Sequence, residues 1–190
     1  MKLLILSLIA SATLLQAECT LKRTSDLQVN WKSFKTPLKL GVGGTFNDVK
    51  TNNLASASSL QELLEKSEVI INTKNVNSKN PGRDAKLVSF FFEKMEGKDI
   101  NAKVISLNGD SLSGKVIISV LMNGVTKEVP MKYTVNTEHF EAKGVLDVAD
   151  FSALPALDSI NKACFALHQG KTWQDVEIAF SFTMKKSCKH

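Results

Sequence analysis

Histidine and cysteine are scarce in this chain, three of each among 190 residues, and their placement removes most of the chemistry they usually carry. His139, His168 and His190 stand far apart and outside metal-ligand spacing, so each reads as a solvated or locally bonded side chain. No Cys-x-x-Cys pair occurs and no Gly-x-Ser-x-Gly elbow, which leaves no thioredoxin-like redox site and no hydrolase nucleophile. Gly41-Val42-Gly43-Gly44 has β-like flanks and no following Lys-Ser/Thr, so it serves close backbone approach or a strand bend better than a phosphate cradle. Basic residues are scattered rather than clustered among aromatics, and nucleic-acid binding is not supported. The one long apolar run, Leu3 to Leu15, is shorter than the roughly 20 residues a membrane helix needs. Neither an enzyme nor a metal or cofactor site is indicated.

That apolar run, preceded by Met1-Lys2 and followed by Gln16-Ala17, reads as a secretory signal peptide over residues 1–17, cleaved near Ala17. Cys19 raises a lipoprotein as the rival, but Glu18 stands where lipidation calls for a small residue. The expected compartment is the periplasm or the exterior. Residues 18–190 then form one domain. Loss of Lys2 leaves a surplus of four basic groups, a mild bias that suits a solvated basic surface or transient contact with an anionic membrane.

Period-two patterning dominates the domain. Val176, Ile178, Phe180, Phe182 and Met184 alternate with Glu177, Ala179, Ser181, Thr183 and Lys185, which predicts a strand with an apolar inner face and a polar face in water. The same alternation marks Leu27-Val29-Trp31, Val69-Ile71, Val116 to Met122, Val129 to Val135, and Phe140-Ala142 continuing to Val148. Asn108-Gly109 and Asn123-Gly124 predict hairpin turns. Two stretches break the pattern with helical spacing: Ser58 to Glu65, with hydroxyl caps and an acidic first turn, and Pro155 to Cys164. The fold class is therefore all-β, an antiparallel sandwich or closed barrel of about eight strands with two short helices. A barrel of that size is either filled by its side chains or holds one small ligand. The inward rows carry Trp31, Met122, Met131, Tyr133, Phe140, Phe180, Phe182 and Met184; they fill a core or fit a flexible chain.

Three ordered motifs favour the ligand. Trp31 followed by Gly43-Gly44-Thr45-Phe46, then Arg83-Asp84-Ala85-Lys86-Leu87 running into Phe90-Phe91-Phe92, then Asn123-Gly124-Val125-Thr126-Lys127, with Asp150-Phe151 behind, resemble the YceI-like family of exported, lipocalin-like lipid carriers over roughly residues 20 to 185. The resemblance implies an extended antiparallel barrel around a polyisoprenoid or another long-chain amphiphile, bound without catalysis. The ligand-facing set it suggests is Trp31, Phe46, Leu87, Phe91, Met122, Met131, Tyr133, Phe140, Phe180 and Phe182, with Arg83 at the mouth. Lys86 where the family often has His, Phe90 in place of an acid, and a missing Asp-x-x-His-Ser signature weaken the transfer of head-group contacts.

Alternatives stay open at several residues. Arg83 and Asp84 either meet a phosphate or carboxylate head group or brace the Asn-rich loop from Thr73 to Asn80. Phe91 and Phe92, if extended, face opposite sides, with Phe91 inward. The competing function is a structural or interaction protein of the envelope whose barrel is plugged by its own side chains. Monomer and homodimer are both compatible. In a closed barrel the first and last strands are neighbours, so Cys19 and Cys188 are the expected disulfide and Cys164 a buried free thiol.

Overall fold

Alternating sequence becomes strand along nearly the whole chain of this computed structural model, which describes residues 18–52, 54–65 and 67–189, apart from the side chain of His168. The expected signal peptide over 1–17 and His190 lie outside the described residues. The strands are β1 (Glu18–Arg23), β2 (Gln28–Lys35), β3 (Leu40–Phe46), β4 (Val49–Asn52), β5 (Ser56–Ala57), β6 (Glu68–Asn72), β7 (Val76–Asn77), β8 (Asp99–Gly109), β9 (Ser113–Met122), β10 (Val125–Asn136), β11 (His139–Asp147) and β12 (Asp175–Lys189). Four helices intervene: α1 (Leu60–Leu64), α2 (Pro81–Phe90), α3 (Leu154–Ala163) and α4 (Phe165–His168).

All strand pairs are antiparallel and belong to one curled sheet, ordered β4-β6-β8-β9-β10-β11-β12-β2-β3-β7, with β1 and β5 attached through β12. The hydrogen-bonded path is open, which corrects the expected closed ring of eight strands to a half-barrel of more and shorter pieces. The break has a local cause: the chain leaves β3 at Phe46 and re-enters strand structure as β4 only at Val49, so one edge pairs partly with β7 and partly with β6.

Register puts the apolar rows together. Phe140 stands opposite Val135 on one side and Phe182 on the other, and Ala142 lies between Tyr133 and Phe180. Val116, Met131, Tyr133, Phe140, Phe182 and Met184 are buried in one cluster. Tyr133 and Phe140 stack at 5.6 Å and Phe140 and Phe182 at 4.9 Å. Each such large side chain contributes about 1.5–3 kcal/mol when fully buried. On the outer face of β12, Ser181 is buried rather than wet as expected. It is flanked by Glu141 and Gln28 on the neighbouring strands, and the Ser25 hydroxyl oxygen accepts the adjacent Thr183 N–H at 2.9 Å.

Turn chemistry agrees with sequence at one hairpin and shifts at the other. Asn123 and Gly124 have φ of 53° and 71°, the two positive values that a tight β9–β10 turn needs. Asn108-Gly109 instead closes β8, and the turn falls three residues later. There the Asp110 carboxylate accepts the N–H groups of Leu112 and Ser113 at 2.7 and 2.8 Å. These bonds hold the Asp110 carboxyl below the usual carboxylate range.

Both expected helices are present. Ser59 caps α1 by accepting the Glu62 N–H at 3.1 Å, and Pro155 sits in the first turn of α3. α2 was not among the two expected helices. Its start is nonetheless conventional, since the Asn80 side chain accepts the Arg83 N–H at 3.0 Å and Pro81 occupies the first turn. The helix runs through Phe90, and a 3-10 turn at Phe92–Lys94 follows in place of extended chain at Phe91-Phe92.

Cys19 lies opposite Cys188 in the β1–β12 ladder, and the two are joined by a disulfide. Cys164 is free and buried.

Candidate ligand-binding site

A cavity of about 660 Å³ occupies the concave side of the sheet and borders the stacked Tyr133–Phe140–Phe182 group, of which Phe182 reaches its wall. Strand alternation supplies one wall: Trp31 from β2, Met122 from β9, Met131 from β10 and Ile178, Phe180 and Phe182 from β12. Helices supply the rest. Leu63 and Leu64 come from α1, Leu87 from α2 with Phe91 and Phe92 just beyond it, and Leu157, Ile160 and Cys164 from the α3 region.

Trp31 is placed by glycine. Its register partner on β3 is Gly44, and a Cβ there would stand 2.7 Å from the indole Cζ2 and 2.5 Å from the Asn77 carbonyl oxygen. The bare backbone lets the ring lie across the strand, where its Nε1 donates to the Thr45 carbonyl at 3.4 Å. Phe46, two residues on, meets Phe92 edge-on at 6.1 Å, and Phe92 meets Phe91 at 5.2 Å. The sheet edge and the segment after α2 are thereby joined by aromatic contact.

Of the residues expected to face a ligand, Trp31, Phe46, Leu87, Phe91, Met122, Met131, Phe180, Phe182 and Arg83 all line this cavity. Tyr133 and Phe140 do not. At 1% and 0% exposure they belong to the packed core. The Tyr133 hydroxyl donates to the Asp110 carbonyl at 2.7 Å, and burial, with Asp110 charge nearby, pushes its phenol above the ordinary value. Phe92 lines the cavity together with Phe91 because the segment is helical and then 3-10, not extended.

The other motif residues turn out to brace the walls. Asp84 accepts from the Ser78 N–H at 2.9 Å and from the Ser78 hydroxyl, which ties the Asn-rich loop to α2. Asn123 accepts the Glu96 N–H at 2.7 Å and donates to the Phe151 carbonyl at 2.8 Å, so the hairpin motif and the Asp150-Phe151 motif are one hydrogen-bonded unit. Sequence reading missed Trp173 and the α3 contribution to the lining. Trp173 hangs from the β2–β3 turn through an Nε1 bond to the Thr36 carbonyl at 2.8 Å, a contact 137 residues apart in sequence.

Charged lining residues are Arg23, Lys35, Arg83, Lys86 and Lys103. Among the described residues, no group of three or more His, Cys, Asp or Glu side chains could hold a metal ion, and no helix is long and apolar enough to cross a membrane.

A polyisoprenoid-binding domain from Saccharophagus degradans shares the fold at a TM-score of 0.60 and 12% identity, covering 90% of this chain and all of that one. Burkholderia cenocepacia BcnA superimposes at 0.57 with 11% identity over 85% of this chain and 96% of its own. A YceI protein of Campylobacter jejuni follows at 0.56 and 17%, covering 78% and 85%. Curated proteins give no match. The YceI-like domain matches residues 20–184, nearly the whole described chain. The chain belongs to the YceI-like family.

Proposed function

We propose that this protein is a periplasmic, non-enzymatic carrier or scavenger that holds a polyisoprenoid or another long-chain amphiphile inside its barrel. The observation that carries the reading is the cavity of about 660 Å³ with its mainly apolar and aromatic wall. At about 0.8 kcal/mol per buried CH₂, a long chain binds such a wall with few polar contacts. The polyisoprenoid-binding description of the Saccharophagus domain supports the same ligand class. The Cys19–Cys188 bridge fits an oxidising compartment. A chain in the cavity would also give the split β3–β4 edge something to close around.

Membrane contact fits the end where the β2–β3 turn meets residues 171–173, just after α4. Leu38 is 83% exposed and Leu167 68% exposed, and the Lys39 and Lys171 ammonium groups stand 5.0 and 4.4 Å from the Trp173 ring. Leu167 and Trp173 also line the cavity, so an anionic leaflet docked there would face its entrance. Mass spectrometry of an organic extract of the purified protein tests the carrier. Co-purifying long-chain lipid is the expected result. An extract free of lipid, with no uptake of added lipid, would favour the envelope structural protein instead.

A further inference from the structure

The cavity wall carries cations and no anions. Arg23, Lys35, Arg83, Lys86 and Lys103 line it; among the described residues no Asp, Glu or His does, and none of these five cations forms an ion pair. Arg23 is set apart from the others by an unpartnered donor. It ends β1, with its N–H donating to the Ala55 carbonyl at 3.0 Å just ahead of α1. Its Nη1 is buried without a hydrogen-bond partner. Arg23 as a whole is half-buried; its guanidinium stays charged at any ordinary pH, and covering one of its donors without a partner costs free energy that an anion in the site would offset. Its planar fork matches a carboxylate or a phosphate.

We infer that Arg23 is the head-group anchor of the cavity, so that the ligand is an acid-terminated amphiphile, carboxylate or phosphate, whose head lies at the α1 end beside Lys103. This rests on the lipid-carrier reading. The apolar chain then runs past Trp31 and Phe180 toward Leu87 and Ile160. Arg83 and Lys86, on α2, flank the far portion of the wall and contact chain or solvent rather than the head.

Binding of hexadecanoate, hexadecyl phosphate and hexadecanol to the disulfide-bonded protein, stripped of lipid and read by Trp31 emission in a Trp173→Phe background, tests the assignment. The two acids should bind about tenfold or more tighter than the alcohol, the scale of one charge-assisted hydrogen bond. Arg23→Met should abolish that preference, read as the ratio of acid to alcohol affinity within the same variant, and Arg83→Met should retain the ratio. Inorganic phosphate should fail to compete; full competition would mean a free-anion site and overturn the amphiphile. Equal binding of acids and alcohol in the unsubstituted protein would overturn the anchor but leave the carrier standing, whereas no binding of any of the three would overturn both. Loss of preference in Arg83→Met alone would move the head to α2 and also refute the assignment. Carboxyl-¹³C hexadecanoate bound to the unsubstituted protein gives a readout independent of any variant. Beside Arg23 its carboxyl should stay ionised to lower pH than the free acid, and protonation at or above the free-acid value would refute the pairing.

Discussion

Tyr133 is the chain's single tyrosine, which makes its environment directly measurable. Burial and the Asp110 charge favour its neutral form, so its contribution to stability is complete below the ordinary phenol value near 10 and is lost as pH rises through the higher folded value. Absorbance at 295 nm should show one tyrosinate transition displaced upward, and Tyr133→Phe should remove it. Asp110 has the opposite sign. Its lowered carboxyl supports the β8–β9 turn above about pH 4 and ceases to as pH falls through the folded value, so the protection of the Leu112 and Ser113 amides, their exchange relative to an unstructured peptide at the same pH, should fall in acid. Gly44→Ala sets a Cβ against the Asn77 carbonyl and the Trp31 ring, and denaturant unfolding should show a loss of about 1–3 kcal/mol. At this scale the sequence was informative about side-chain identity and silent about depth. Tyr133 and Phe180 share an inward row across Ala142, yet only Phe180 reaches the cavity, because position along the barrel axis is not written in alternation.

Elements made from local period were legible, and those made from caps alone were not. Strands β9 to β12 follow directly from alternation, β8 was marked only by the Asn108-Gly109 pair at its end, and α1 and α3 follow from leucine spacing and a first-turn proline. α2 escaped because its middle, Arg83 to Lys86, has no apolar stripe, although Asn80-Pro81 is an ordinary helix start. Asn80→Ala should cost about 1 kcal/mol through the lost cap. The same change should loosen the α2 side of the cavity, and limited proteolysis between residues 77 and 95 reads that separately. Along β12, a spin label or cysteine at Phe180 should be shielded and one at Lys185 accessible; equal accessibility would contradict the register.

The whole molecule depends on long-range closures that local sequence does not encode. Joining β1 to the end of β12 follows from barrel logic, and the Cys19–Cys188 bridge realises it over 169 residues. Reduction should lower stability by up to about 5 kcal/mol in the chain-entropy account, measured as the shift in urea midpoint with and without reductant. The split at β3–β4 was not legible, because it arises where two residues, Asn47 and Asp48, interrupt a strand that continues on both sides. The mixed character of the interior was not legible either: Tyr133 and Phe140 are packed without reaching the cavity, while Phe182, stacked on Phe140, lines its hollow part.

With Cys19 and Cys188 joined, the free thiol of Cys164 sits on the wall of the hollow part. It is nearly covered, and it borders the space a lipid chain would fill. The native protein therefore carries its own vacancy gauge: the rate at which a thiol-reactive dye labels Cys164 counts the fraction of molecules that are empty, with no engineered probe and no knowledge of the cargo.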